Sequence, residues 1–382
     1  MEIVLYAIPF ITSIILFALF RKQATWWEYV LVIVPSLLFA VLTKAISVSV
    51  RMTDTEYLGG YVTKVRHYDD WDEWIERRCT REVPVGRDKD GNTIYETETY
   101  DCSYREYHPE RWTYFSSFNY EASLYEREFN AIRMRFGSPM VFVDMHRHYY
   151  TKDGDAQDYF WLGTENTIRT LTIDHQYENR VRCSKSIFKL DEISKEDAKE
   201  YGLFDYPKIS SQDQLPVLSK CDVLPLSSEI DAIKYINGYY GAKHQIRLFI
   251  LLFDYRKGIE TAFKQQSYWD GGNKNELVIC LGVKPDRKID WCYVFSWEDA
   301  PEMAVNTKNF FLEQQKLDLF SFKDWAIDNL HLWHRKEFKD FKYIKVDMTK
   351  TGYIILLILV LLYNIGISIF VILNEHQNEG FD

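Results

Sequence analysis

The sequence predicts a membrane-anchored α+β protein. Three transmembrane helices flank a large mixed domain with a strand-rich first half and an α/β second half. Three observations carry this reading. Apolar runs long enough to span a membrane occur only near the two ends of the 382-residue chain. Between them the chain is polar yet rich in rings, with aromatic residues at 16% of the whole, more than a chain without a core carries. Finally, period-two strand patterns dominate the first half of this middle region, and capped helical patterns enter in the second.

The first anchor is residues 3–20, free of charge and closed by Arg21 and Lys22. Its 18 residues at about 1.5 Å each nearly match a hydrocarbon layer about 30 Å thick. Glu2 stands where a cleaved signal would carry basic residues, which favours a retained anchor. The second anchor, about 27–46, begins beside Trp26-Trp27, contains Pro35 and ends near Lys44, which can snorkel to the interface. Residues 1–46 thus form a transmembrane hairpin. The third anchor, 352–373, contains Asn364, Gly366 and Ser368, a polar and small set suited to helix–helix association. An acidic tail, 374–382, follows.

The middle region divides at a connector. Residues 47–190 form the strand-rich subdomain, 191–220 the connector, and 221–351 the α/β subdomain. The α/β half has an unbroken apolar strand, QIRLFILLFD at 245–254, of the kind buried on both sheet faces. Ser321 with Asp324 reads as a capping box for a helix over 322–338.

Cysteine placement decides the expected side of the membrane. Asp90-Gly91 marks a hairpin over 79–102, and Pro285-Asp286-Arg287 marks another over 280–292. Symmetric counting about each turn sets Cys79 opposite Cys102 and Cys280 opposite Cys292, within disulfide reach. Cys183 and Cys221 form a weaker third pair, since nothing local joins them. Disulfides belong to an oxidising compartment. The short loop with Arg21 and Lys22 agrees, because the positive-inside rule makes it cytoplasmic and the large domain extracytoplasmic. The basic stretch from Arg335 to Lys350 argues the reverse, so the cytoplasmic-domain orientation stays open. No N-x-Ser/Thr sequon occurs, which fits a bacterial inner-membrane or phage-modified envelope.

Two residue groups could bind cations. Asp144, His146 and His148 alternate on one predicted strand face, with His175 in a neighbouring strand, a donor set for zinc or iron. Asp254, at the carboxyl end of the buried strand, together with Asp270, Asn273 and Glu276, could make an oxygen-rich site. A divalent cation at one of these is the single cofactor the patterns allow for; otherwise none is expected. No Walker loop, dinucleotide fingerprint, H-E-x-x-H or G-x-S-x-G is present, so no catalytic residue is assigned. Enzyme status is left open, with a non-catalytic role favoured.

One stretch resembles a known module. A hydrophobic strand ending in Asp254, a following helix through Ile259-Glu260, the run Gly271-Gly272-Asn273-Lys274-Asn275-Glu276 and the strand Leu277–Leu281 are similar to the TPM domain. The resemblance covers about 80 residues. It implies an extracytoplasmic α/β module on a membrane tether. The chain departs from that family in its two anchors before the domain and its large strand-rich half.

The functional expectation is an envelope interaction or assembly protein, bound to the lipid bilayer, homo-oligomeric, and partnered by another envelope protein. A net charge of -10 argues against nucleic acid as a partner. The alternatives are an oligomeric ion channel or transport accessory gated by the large domain and, behind it, a metal-dependent membrane-tethered hydrolase.

Overall fold

The computed structural model describes residues 2–20, 26–143, 156–162, 169–183, 192–210, 215–297, 300–335, 337–346 and 348–378. It is a mixed α+β structure. Its apolar termini form α1 (Glu2–Phe20), α2 (Trp26–Met52) and, at the other end of the chain, a long helix over Lys350–Asn378. Among the described residues two segments are long and apolar enough to cross a membrane, Val32–Met52 and Lys350–Phe370; α1 offers a shorter apolar stretch, Leu5–Ile15. The three helices pack together through Leu5, Ile8, Ala40, Tyr353, Leu356 and Val360. Their outward faces expose Leu38, Leu42, Ile354, Leu362 and Ile369. An apolar belt of that kind suits lipid rather than water.

Strand β1 (Thr53–Tyr68) starts where α2 stops. It carries the strand-rich half. Its first part pairs antiparallel with a strand over Thr170–Glu178, and its second part is flanked by strands over Arg111–Ser116 and Ala156–Trp161. Between β1 and the strand at Arg111 the chain runs out and back as a ribbon: β2 (Trp71–Ile75), β3 (Arg78–Arg87), β4 (Thr93–Asp101) and β5 (Tyr104–His108). The strands β6 (Arg111–Ser116) and β7 (Glu121–Ser123), helix α3 (Glu126–Phe136), and β8 (Met140–Val143), β9 (Ala156–Trp161) and β10 (Thr170–Glu178) complete a six-stranded sheet in the order β7-β6-β1-β9-β8, with β10 on β1. Helix α3 closes one face, with Phe129 and Ile132 meeting Val62, Val65 and Phe160.

Short helices α4 (Arg180–Cys183) and α5 (Lys195–Tyr201) lead to β11 (Val217–Ser219). After α6 (Ser227–Tyr235), a π-helical turn and α7 (Gly241–His244) come β12 (Arg247–Asp254), α8 (Glu260–Tyr268), β13 (Glu276–Val283) and β14 (Ile289–Phe295). The order is β11-β12-β13-β14, with the first three strands parallel and β14 antiparallel. Helices α9 (Pro301–Gln314) and α10 (Leu319–Asn329) pack with α6 on one face, against Ile250, Leu252 and Ile279. The other face buries Phe249, Leu251, Phe253, Val278 and Cys280 beneath Phe204 and Trp269. This explains the unbroken apolar run: β12 has no solvent face. The helix at Lys350 is α11.

Asn237, in the π-helical turn, completes the sheet edge. Its amide accepts from Leu248 N at 2.7 Å and donates to Leu248 O at 3.0 Å, replacing the strand that β11 is too short to supply. Gly59 of β1 lies against the same turn, where a Cβ would stand 1.6 Å from Asn237 O. The two halves therefore meet backbone to backbone.

Several expectations change. Helix α10 begins at Leu319, and its cap is Asp318, which accepts from Phe320 N and Ser321 N, rather than the expected Ser321 box. The Cys79–Cys102 disulfide is present, with Cα atoms 5.8 Å apart. Its register is not the symmetric one: Cys79 faces Tyr100, and Cys102 N donates to Arg77 O. The turn spans Asp88–Asn92, and a bulge between Pro84 and Gly86 shifts the ladder again. A bulge also defeats the second pair. Val283 faces Ile289 as counted from the turn, but the register then slips by one, so Cys292 faces Leu281 and Cys280 faces Tyr293. Neighbouring pleat positions point to opposite faces, which puts Cys280 and Cys292 in different cores with free thiols. Burial drives the Cys292 thiol up to about 12 and raises Cys280 as well, so both are inert packing groups. Cys221 is also free, which removes the proposed bridge to Cys183.

Candidate functional site

The ribbon β2–β5 and a cleft where the two halves meet both face solvent without serving the core.

The ribbon is built from backbone ladders and local side-chain bonds, without a core of its own. Among the described residues β2 pairs only with β5, and β3 only with β4, as separate two-stranded sheets. All nine residues of β4 are exposed, as are eight of the ten in β3. Apolar side chains are displayed rather than buried, among them Trp74, Val85, Ile94, Tyr95 and Tyr107. Isolated two-stranded hairpins are marginal in water. Here the turn is locked by Asp88, whose carboxylate accepts from Asp90 N at 2.9 Å and Asn92 N at 2.8 Å. The disulfide clamps the other end. Arg81 donates to Glu98 across the strands at 2.9 Å and 3.0 Å.

The cleft has a volume of about 420 Å³. Its wall carries Tyr57 from β1, Tyr206 from the connector, Tyr268 and Trp269 from the end of α8, and Trp297 beyond β14. Asp54, Asn179, Asp270 and Asn273 supply polar groups. Asp270, Gly271 and Gly272 all have positive φ, at 50°, 84° and 85°. Three successive left-handed residues are costly for any sequence, least so for Gly and Asp. At Gly271 a Cβ would stand 2.6 Å from Trp297 Nε1, so only glycine admits that indole, which donates to Asp270 O at 2.8 Å.

Behind the wall lies a buried polar layer. Glu276 is fully buried; it accepts from Asn273 N at 2.8 Å, from Asn273 Nδ2 at 3.2 Å and from the Tyr206 hydroxyl. Burial raises its carboxyl pKa against these bonds. Arg247 faces Glu276 on the adjacent strand and is 1% exposed. Its guanidinium lies over the rings of Tyr57 and Phe249 at 5.8 Å and 5.0 Å, and Nε, Nη1 and Nη2 have no protein hydrogen-bond partner. Desolvation lowers its pKa. A buried cation held by ring faces and one nearby carboxyl is tolerated at a substantial desolvation cost.

The sequence-derived groups separate. Asp270, Asn273 and Glu276 gather at this cleft. Asp254 does not join them: it lies at the opposite end of β12, seven residue steps or roughly 23 Å along the sheet from the Glu276 level. There it takes Arg256 in a bidentate ion pair and accepts from Arg256 N at 2.9 Å, which holds its carboxyl at about 2. Asp144, His146 and His148 lie outside the described residues. His175, their expected fourth partner, bonds the buried Glu56 through Nδ1 at 2.8 Å, and Arg335 binds the same oxygen. Among the described residues no group of three or more acidic, histidine or cysteine side chains could hold a metal ion.

In the helical bundle, Asn364 donates to Ser36 Oγ at 2.8 Å and accepts from Thr12, while Ser368 donates to Asn364 O at 2.7 Å. Asn364 and Ser368 thus make helix–helix and intrahelical bonds within one chain. Gly366 faces outward with open space around it.

Sequence reasoning missed Tyr57, Tyr206 and Arg247. Arg247 left one signal, a lone cation at the head of an otherwise apolar strand. The others come from segments that no local pattern connects. Comparison with known proteins finds no matching family model, curated protein or solved structure, so the likeness of the second half to the TPM domain assigns no family.

Proposed function

We propose that this is an interaction protein of a bacterial or phage-modified envelope, anchored by three membrane helices, whose extracytoplasmic domain contacts a protein partner through the β2–β5 ribbon. The observation that carries the reading is the ribbon's bareness. Its chain path of up to roughly 50 Å is ordered by backbone bonds and a disulfide while adding nothing to either core. Its open strand edges suit pairing with an extended segment of a partner, and the exposed rings and aliphatic groups supply side-chain contacts. Charges and Pro84 along the ribbon discourage indiscriminate edge pairing.

The reading of α1 as a third span is supported by its packing against both longer helices and by the bond from Thr12 to Asn364. The half-buried Cys79–Cys102 disulfide supports the extracytoplasmic side.

Photo-crosslinking residues placed at Ile94 and Tyr95 in cells test the contact, with Met134 on α3, 87% exposed, as control. A discrete adduct from the ribbon and none from Met134 is expected. No ribbon adduct, or the same adduct from Met134, would refute it. Orientation is checked with Lys22→Cys and Gln377→Cys, neither of which should react with an impermeant thiol reagent in intact cells.

A further inference from the structure

We propose that the aromatic cleft binds an alkylated ammonium group, carried by a lipid headgroup or by a soluble amine. The cleft's chemistry is one-sided. Five rings, those of Tyr57, Tyr206, Tyr268, Trp269 and Trp297, line it with the carboxylates of Asp54 and Asp270. No lysine, arginine or histidine is among its described lining residues. Ring faces are negative and attract a cation that cannot be strongly hydrated, and an alkylated ammonium is the ligand that uses several rings at once. A bare metal ion is the poorer fit, because among the described residues no group of three or more acidic, histidine or cysteine side chains comes together here to offset the loss of its hydration.

The cation behind the wall does not oppose this. Arg247 is sealed beneath Tyr57, and Glu276 at the facing position on β13 offsets its charge. The wall is also preorganised. Tyr206 packs edge-on to Trp269 at 5.1 Å, and its hydroxyl is fixed by Glu276 and by Asn273 Nδ2 at 2.9 Å. The left-handed run at Asp270–Gly272 sets a carboxylate and Trp297 on the same rim. Rings held in place lose little freedom when a ligand arrives.

Position adds the lipid source. Asp54 is the second residue after α2, and Asn179 N donates to Met52 O at 2.6 Å, so the cleft's lower wall begins where the helix ends. An ammonium group on a lipid headgroup is therefore within range, as is a soluble amine.

The test is calorimetric titration of the full chain in phosphatidylglycerol nanodiscs, which present no ammonium. Choline should bind saturably, and its uncharged isostere 3,3-dimethylbutan-1-ol about tenfold more weakly. Asp270→Asn keeps a residue that accepts the left-handed backbone and should weaken choline about threefold or more at an unchanged thermal midpoint. Tyr268→Leu, at the cleft mouth, should weaken it too. The same titration in phosphatidylcholine nanodiscs separates the sources: lost choline heat means the headgroups already occupy the cleft, and retained heat assigns it to a soluble amine. Equal binding of choline and its isostere, or no saturable choline binding in phosphatidylglycerol, would overturn the proposal.

Discussion

The β12–β13 pair and the β3–β4 pair are both ladders of eight to ten residues per strand, yet they are held by opposite means. In the first, all of β13 and seven of eight residues in β12 are buried between two layers of helix and loop. In the second, burial is nearly absent, and a disulfide, an Asp88 turn and cross-strand pairs stand in for it. Order alone does not reveal what a strand is for. Under the proposed function, a strand that burial does not require serves a contact outside the fold, and the contrast is why the ribbon is proposed as that contact element.

The comparison can be broken from either side. Phe253, fully buried against Phe204 and Trp291, should cost about 3–5 kcal/mol when replaced by alanine, enough to bring much of the domain near unfolding. Chemical denaturation of the detergent-solubilised protein reads this directly. An intermediate effect is expected at Asp318, the cap of α10, where alanine should cost about 1 kcal/mol. Hydrogen bonds from Ser321 and Phe320 hold the Asp318 carboxyl below its usual value. A depressed folded-state pKa stabilises above the unfolded value and loses that contribution as pH falls through the folded one. The difference between the parent and Asp318→Ala should therefore be full above about pH 4 and shrink below it. The smallest effect belongs to the ribbon: Tyr95→Ala, at a side chain 58% exposed, should change stability by less than about 0.5 kcal/mol. A loss comparable to that at Phe253 would mean the ribbon is structural.

How much of this was legible in the sequence differs by region, for physical reasons. The terminal helices and the buried strand QIRLFILLFD declare themselves through continuous apolar content, which a lipid-suited outer face demands of the helices and burial on both sheet faces demands of the strand. The Cys79–Cys102 bridge was found although its register was misread, because a disulfide tolerates a diagonal neighbour. Cys280 and Cys292 were not so forgiving: one bulged residue near Asp290 reverses which face each side chain meets, and no composition rule places a bulge. The cleft is harder still. Tyr57, Tyr206 and Asp270 are brought together by the packing of β1 on the second sheet, a contact made by Gly59 on the backbone of Asn237. Exposure of the ribbon was equally hidden, since its alternating threonines and tyrosines would serve a buried sheet as well.

Amide hydrogen exchange on the full-length protein in nanodiscs, oxidised and then reduced, tests the central contrast most directly. Amides of β12 and β13 should exchange only through global unfolding and be indifferent to reduction. Those of β3 and β4 should exchange earlier in the oxidised protein and faster again once Cys79–Cys102 is opened, while the rest of the domain is unchanged. Ribbon amides as slow as those of β12, or a domain that loosens throughout on reduction, would contradict the account.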